Sequence, residues 1–182
     1  MAIDIPGYTP GTYVLDAAHS DVGFEVRHMM MSKVRGHFEV KEATFVLPEN
    51  PLDASVEATV DVASLNSRDE GRDQHLRSAD FFDAETYPKI TFVSTQVREE
   101  DGGLVVDGDL TIKDVTKSVT FALDIGGFGT DPWGGSKAGA TATATINRED
   151  FGLTWNAALE TGGVLVGREV KLTLDLQGAL QS

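Results

Sequence analysis

Apolar side chains recur at every second position along most of this chain. That spacing admits little but β-strand, in which successive side chains face opposite sides. Val22, Phe24 and Val26 alternate with Asp21, Gly23, Glu25 and Arg27, and Val34, Gly36, Phe38 and Val40 alternate with Arg35, His37, Glu39 and Lys41. From Ala43 through Phe45 to Leu47 the apolar phase moves to the odd positions. A slip of one residue exchanges the two faces of a strand, so a β-bulge or sharp bend is expected at Lys41–Glu42.

The same period marks Val56 to Val62, a strand opening at Ile90 and Phe92, Leu104 to Ile112, and Val119 to Ile125. It marks Ala138 to Ile146, where Ala alternates with Thr, and Val170 to Leu176. With Thr12–Leu15 as a short first strand the total is about nine, enough for one barrel or sandwich. Asp101-Gly102-Gly103 and Lys113-Asp114-Val115 read as tight hairpin turns, which makes neighbouring strands antiparallel. Two segments break the alternation. Ser67-Arg68-Asp69-Glu70 has the S-x-x-E form of a capping box and predicts a short helix over Gly71–Ser78, with Leu76 as its apolar contact. Thr154–Gly167, rich in Ala and Gly, reads as a long loop. No repeat or linker divides the chain, so one domain over 1–182 is expected, with its core at about 12–177.

Composition removes several function classes. At a net charge of −14 the chain is not expected to be held to DNA or to anionic lipid by charge alone, so no nucleic-acid partner is expected. There is no cysteine, which excludes disulfides, thiolate catalysis and Cys-ligated metals. No run approaches the ~18 apolar residues of a membrane span, and the opening residues lack a basic segment followed by an apolar one. The expectation is a soluble, cytoplasmic protein.

His19, His28 and His37 are nine residues apart. Their parity opposes a metal site: His28 shares the apolar phase of Phe24 and Val26, whereas His37 is out of phase with Phe38 and faces water. No metal and no cofactor are expected. His28 reads as a core histidine or a polar anchor in a pocket. No G-x-S-x-G, P-loop or G-x-G-x-x-G pattern is present. Arg68, Arg72, Asp73, His75, Arg77 and Asp80 form a dense polar cluster, readable as a solvated helix or as the rim of a pocket for a polar headgroup. The all-Ala apolar face of the 138–144 strand also has two readings. A barrel of about eight strands can be filled or can hold one small ligand. Composition alone favours the filled core.

Several motifs add to this. Tyr13-Val14-Leu15-Asp16 with His19-Ser20, then Phe24-Glu25-Val26-Arg27-His28, stand near the start. Arg72-Asp73-Gln74-His75-Leu76-Arg77-Ser78-Ala79-Asp80-Phe81-Phe82-Asp83 leads to Tyr87-Pro88-Lys89-Ile90-Thr91-Phe92. Gly108-Asp109-Leu110-Thr111-Ile112, Val115-Thr116-Lys117 and Ile146-Asn147-Arg148-Glu149-Asp150-Phe151-Gly152 follow. In this order they resemble the YceI family of lipid-binding proteins over about residues 12–177. Lys113-Asp114 stands where that family more usually has His-Gly.

The resemblance implies an all-β, extended, lipocalin-like antiparallel barrel with a short helix near one end and an elongated apolar cavity. It implies non-catalytic binding or transport of an isoprenoid or other long-chain lipid, and a homodimer as the assembly. It reverses the preference for a filled core. The inward strand phase then assigns the lining to Phe24, Val26, His28, Phe38, Phe45, Val60, Phe92, Leu110, Phe121, Ala142, Leu172 and Leu174, with Leu76 from the helix. Arg72, His75 and Arg77 become the headgroup rim. The competing readings are an enzyme on an apolar substrate with His28 as acid or base, and a filled barrel that binds a partner.

Overall fold

Short turns between amphipathic strands force each strand to pair antiparallel with the next, and a right-handed twist then curls such a sheet toward closure. The computed structural model describes residues 4–29, 31–157 and 165–181. Among these, the strands are β1 (Gly11–Leu15), β2 (Asp21–His28), β3 (Ser32–Leu47), β4 (Ser55–Asn66), β5 (Lys89–Glu100), β6 (Gly103–Ile112), β7 (Val115–Thr130), β8 (Ser136–Asn147) and β9 (Val166–Leu180). A helix of eight residues, α1 (Glu70–Arg77), lies between β4 and β5. The sheet closes where β9 returns to β2 (Val22 opposite Leu174).

Nine strands build an eight-stranded wall because β1 and β2 share one slot. Tyr13 pairs with Phe45 on β3 and with Leu180 on β9, filling the slot up to where β2 begins. The 3-10 turn Ala17–His19 joins the two segments. Ser20 stitches the joint to β9: its hydroxyl donates to the Asp16 carbonyl at 2.8 Å and accepts from the Gln177 N–H at 3.0 Å.

The phase slip in β3 is a bulge. Pairing with β4 shifts between Val40 and Glu42, so Lys41 and Glu42 are both exposed between buried Val40 and Ala43. A second shift, between Ile125 and Gly127, carries β7 on to Thr130, past the point where Gly126-Gly127 interrupts the sequence alternation. Gly127 has φ +148, a conformation closed to most side chains. Beyond it Phe128 faces inward in a new phase. Both expected hairpin turns form, between Glu100 and Gly103 and between Ile112 and Val115. In the second, the left-handed residue is Lys113, with φ 58, not Asp114.

The helix, Glu70–Arg77, runs one residue ahead of the expected Gly71–Ser78 at each end, and its N-cap is not Ser67, the first residue of the capping box. Arg68 takes a left-handed φ of 66, and Asp69 becomes the N-cap, its carboxylate accepting from the Arg72 N–H at 3.0 Å. Ser67 is freed for another task. It is buried, and its N–H and hydroxyl both donate to buried Asp73. Loop residues Thr154–Ala157 are described, but 158–164 of the expected long loop lie outside the described residues.

Candidate functional site

The strand interiors face a lumen of ≈ 270 Å³, lined almost entirely by carbon. It runs most of the length of the barrel: Ile5, Tyr8 and Phe128 border it at one end, and Phe82, Arg148 and Leu153 at the other. The low wall of Ala138, Ala140 and Ala142 on β8 makes the room, because these positions face Leu174 and Leu176 of β9 and Leu123 and Ile125 of β7 without filling the axis. An engineered apolar void of about 150 Å³ already holds a benzene ring, so this lumen admits a larger apolar ligand.

The structure brings most of the expected lining together. Phe24 from β2, Phe38 and Phe45 from β3 and Val60 from β4 border the cavity on one side. Phe92, Leu110, Phe121, Ala142, Leu172 and Leu174 border it from β5 to β9. The Phe24 ring lies across Gly36 on β3, where any Cβ would collide with it, and Phe92 covers Gly108 in the same way. The two glycines let the large rings lie against the wall instead of standing in the lumen.

Val26, His28 and Leu76 are corrections. None of them borders the cavity. Val26 and His28 lie beyond Phe24, the last lining residue of β2, and the β2–β9 register shifts between them, which ends the simple parity on which the inward assignment of His28 rested. Leu76 packs against the core from α1 without reaching the lumen. The other histidines sit apart, each on a single carboxylate: His19 on Asp16 at 2.9 Å, His37 on Asp21 at 2.8 Å and His75 on Asp80 at 2.9 Å.

The arginine rim is also corrected. Arg72 donates to the Ser67 hydroxyl at 2.9 Å and to the Ser67 carbonyl at 2.7 Å, and Arg77 donates to the Leu65 carbonyl at 2.7 Å. The His75 ring stands edge-on to Trp155 (centroids 4.6 Å apart) and to Phe81. The two arginines fasten α1 to the end of β4, and His75 packs it against Phe81 and Trp155. The expected result for Arg72→Ala and Arg77→Ala is therefore a loss of about 1–3 kcal/mol each, from a charged donor removed and a carbonyl orphaned. Affinities for a prenyl diphosphate and for the matching alcohol, measured by fluorescence displacement, should change by the same factor.

The charged residue that does border the cavity is Arg148, which is only 3% exposed. It opens a 3-10 turn, Arg148–Phe151, immediately after β8. Its Nε donates to the Gly167 carbonyl at 2.7 Å, Nη1 to the Leu153 and Trp155 carbonyls at 2.6 and 3.0 Å, and Nη2 to the Val166 carbonyl at 3.2 Å. Neighbouring Glu149 pairs instead with Arg168 at 3.0 Å. Burial pushes the Arg148 guanidinium below its ordinary pKa, Glu149 acting against this and Arg168 with it. At the opposite end Tyr8 and Tyr13 donate to the Pro48 and Thr9 carbonyls at 2.6 and 2.8 Å, and burial raises both phenols. Sequence parity held a signal for Arg148, which continues the inward positions Ala142, Ala144 and Ile146.

A closed antiparallel barrel around an apolar lumen defines the lipocalin-like class of small-molecule binding folds. The model for the YceI-like domain matches residues 13–178, and the chain belongs to that family. A UPF0312 protein of Staphylococcus aureus strain MSSA476 is 41% identical over 161 residues, 87% of this chain and 92% of that one. Burkholderia cenocepacia BcnA shares the fold with a TM-score of 0.76 at 26% identity, covering 90% of this chain and 98% of its own. The Campylobacter jejuni YCEI protein aligns with a TM-score of 0.67 at 29% identity over 98% of this chain and 100% of its own. A structure from Saccharophagus degradans described as a polyisoprenoid binding domain aligns with a TM-score of 0.65 at 14% identity, covering 95% of this chain and 100% of that one, a likeness of fold alone.

Proposed function

We propose that this protein binds and carries an isoprenoid-type lipid or similar long amphiphile, without chemistry on it. The observation that carries the reading is the ≈ 270 Å³ lumen walled by carbon along the barrel. At about 24 cal/mol per Å³, a permanently empty void of that size withholds on the order of 6 kcal/mol, comparable with the whole stability of many domains. An apolar occupant recovers much of this. Each buried methylene contributes about 0.8 kcal/mol, so ten of them supply about 8 kcal/mol against the cost of association. The polyisoprenoid binding domain of Saccharophagus degradans is built on the same fold, which supports an isoprenoid as the occupant.

Native mass spectrometry of the purified protein tests this: a copurifying long-chain lipid is the expected result, and the same spectra report whether a homodimer forms. If instead the protein is found empty and takes up no added polyprenol, the carrier reading fails. Catalysis is tested separately. Lipid recovered after long incubation with wild type should be chemically unaltered. His28→Gln should leave affinity within about twofold, because His28 does not border the cavity. A product that disappears in His28→Gln would install the enzyme in place of the carrier.

A further inference from the structure

The hairpin between β2 and β3 joins two features that rarely coincide on an acidic protein. Its tip exposes methionines, Met29 at 38% and Met31 at 80%. Immediately behind it on the outer wall lie four exposed cations on three adjacent strands: Arg27 opposite Lys33, and Arg35 and Lys171 flanking Glu25 from either side. Glu25 holds Lys33 at 3.0 Å and Arg35 at 3.6 Å. Among the described residues neither Arg27 nor Lys171 has a carboxylate within 4.0 Å. Exposed Glu169 shares the outer face of β9 with Lys171, so the four cations stand against two carboxylates, Glu25 and Glu169, and the patch is still net positive in a chain of net charge −14.

The cations are confined to this flank: elsewhere at the same end Asp69, Glu70, Asp80, Asp114 and Asp150 are exposed, and the turns of the opposite end are acidic as well. The turns of the opposite end carry Glu49, Asp53, Glu100, Asp101 and Asp131, and exposed Trp133. Lys33 and Leu47, at the two ends of β3, are 14 residues apart, which at about 3.3 Å per residue places the ends tens of ångströms from each other. That is several screening lengths of about 8 Å, so the far end does not cancel the cationic flank at physiological salt.

We infer that the β2–β3 tip docks the protein on an anionic lipid bilayer, with Met29 and Met31 in the interfacial layer and Arg27, Lys33, Arg35 and Lys171 against the headgroups. Flexible, unbranched methionines suit an irregular apolar boundary. Each basic side chain close to an anionic leaflet raises partitioning roughly fivefold. The tip adjoins the cavity end bordered by Arg148, since Val26 of β2 and Ile146 of β8 both pair with Val170 of β9. Docking there sets that end of the lumen against the membrane from which an amphiphile is taken or to which it is returned. The docking itself does not depend on what the lumen holds.

Cosedimentation with vesicles tests the inference. Phosphatidylcholine vesicles containing about 30% phosphatidylglycerol should bind the protein at about 50 mM salt, at least tenfold better than pure phosphatidylcholine, and release it at about 500 mM. A triple variant, Arg27→Gln, Met31→Ser and Lys171→Gln, should lose tenfold or more of this binding while still taking up a polyprenyl probe, which shows that the barrel is intact. Trp133→Ser, at the far end, should bind vesicles as wild type does. Ala142→Trp, which obstructs the lumen, should dock normally, so a failure of the carrier reading and a failure of docking give different patterns. Equal binding to both vesicle types, retention in the triple variant, or loss in Trp133→Ser would overturn the inference. So would no vesicle binding at all, the result expected if the patch serves an acidic protein instead.

Discussion

Ala142→Trp is expected to reduce binding of a fluorescent polyprenyl probe by at least about 100-fold and to leave the barrel folded. Ala142 is buried on β8, pairs with Leu123 and Leu174, and borders the lumen in one cluster with Phe121 and Ala144, against which Phe92 packs. An indole grown from this position occupies space that the wild-type protein leaves open. In a filled core the same change would overpack the interior by about 1–3 kcal/mol or more. In a hollow barrel the new ring replaces ligand. Thermal melts separate these cases. Saturating wild type with ligand at about 100 times its Kd adds about 2.7 kcal/mol, or roughly 5–11 °C in Tm for a chain of this size. The variant should start within a few degrees of ligand-free wild type and show none of that rise. Ala140→Phe, two residues along the same wall, should behave similarly. Wild-type affinity in both variants would place the lipid elsewhere, and collapse of both melts would show that the lumen is a packed core.

The wall of this site could be read from the sequence because a strand has period two and a barrel has one inside. Phe38, Phe45, Phe92, Phe121 and Ala142 follow from parity alone, and so does the bulge at Lys41–Glu42, where the phase changes. Parity fails where the ladder shifts. His28 follows an irregularity in the β2–β9 register that nothing local announces, Val26 is in register but past the last lining residue of its strand, and Phe128 lies beyond a glycine pair that looks like the end of a strand. The sharing of one slot by β1 and β2 depends on pairings between residues as distant as Tyr13 and Leu180, which no local pattern encodes. The polar cluster on α1 was visible, but its task was not. Whether an arginine meets a headgroup or a carbonyl depends on where the end of β4 delivers Leu65 and Ser67.

Arg148→Met is expected to give the largest loss of stability, on the order of 4 kcal/mol or more, and a fall in Tm of roughly 8–16 °C. Two opposing terms decide the sign. Methionine relieves the protein of a buried guanidinium that no carboxylate neutralises among the described residues, and burial of such a charge costs several kcal/mol. Against this, four hydrogen bonds are lost: the carbonyls of Leu153, Trp155 and Gly167 lose the guanidinium as donor, and that of Val166 keeps the Asn156 amide. Hydrogen bonds to a charged group contribute about 1.5–3 kcal/mol each, and four of them outweigh the relief. These carbonyls belong to two separate segments, 153–155 and 166–167, which the planar fork holds together beside the end of the lumen. The damage should therefore be local before it is global: hydrogen exchange should accelerate first at residues 153–157 and 165–168, while β5 to β7 keep their protection. Arg148→Lys should recover only part of the loss, because an ammonium presents its donors at a single point and cannot span four acceptors. A Tm within about 2 °C of wild type for Arg148→Met would show that the two segments hold without the guanidinium, and that the buried charge is kept for something other than the frame of the barrel.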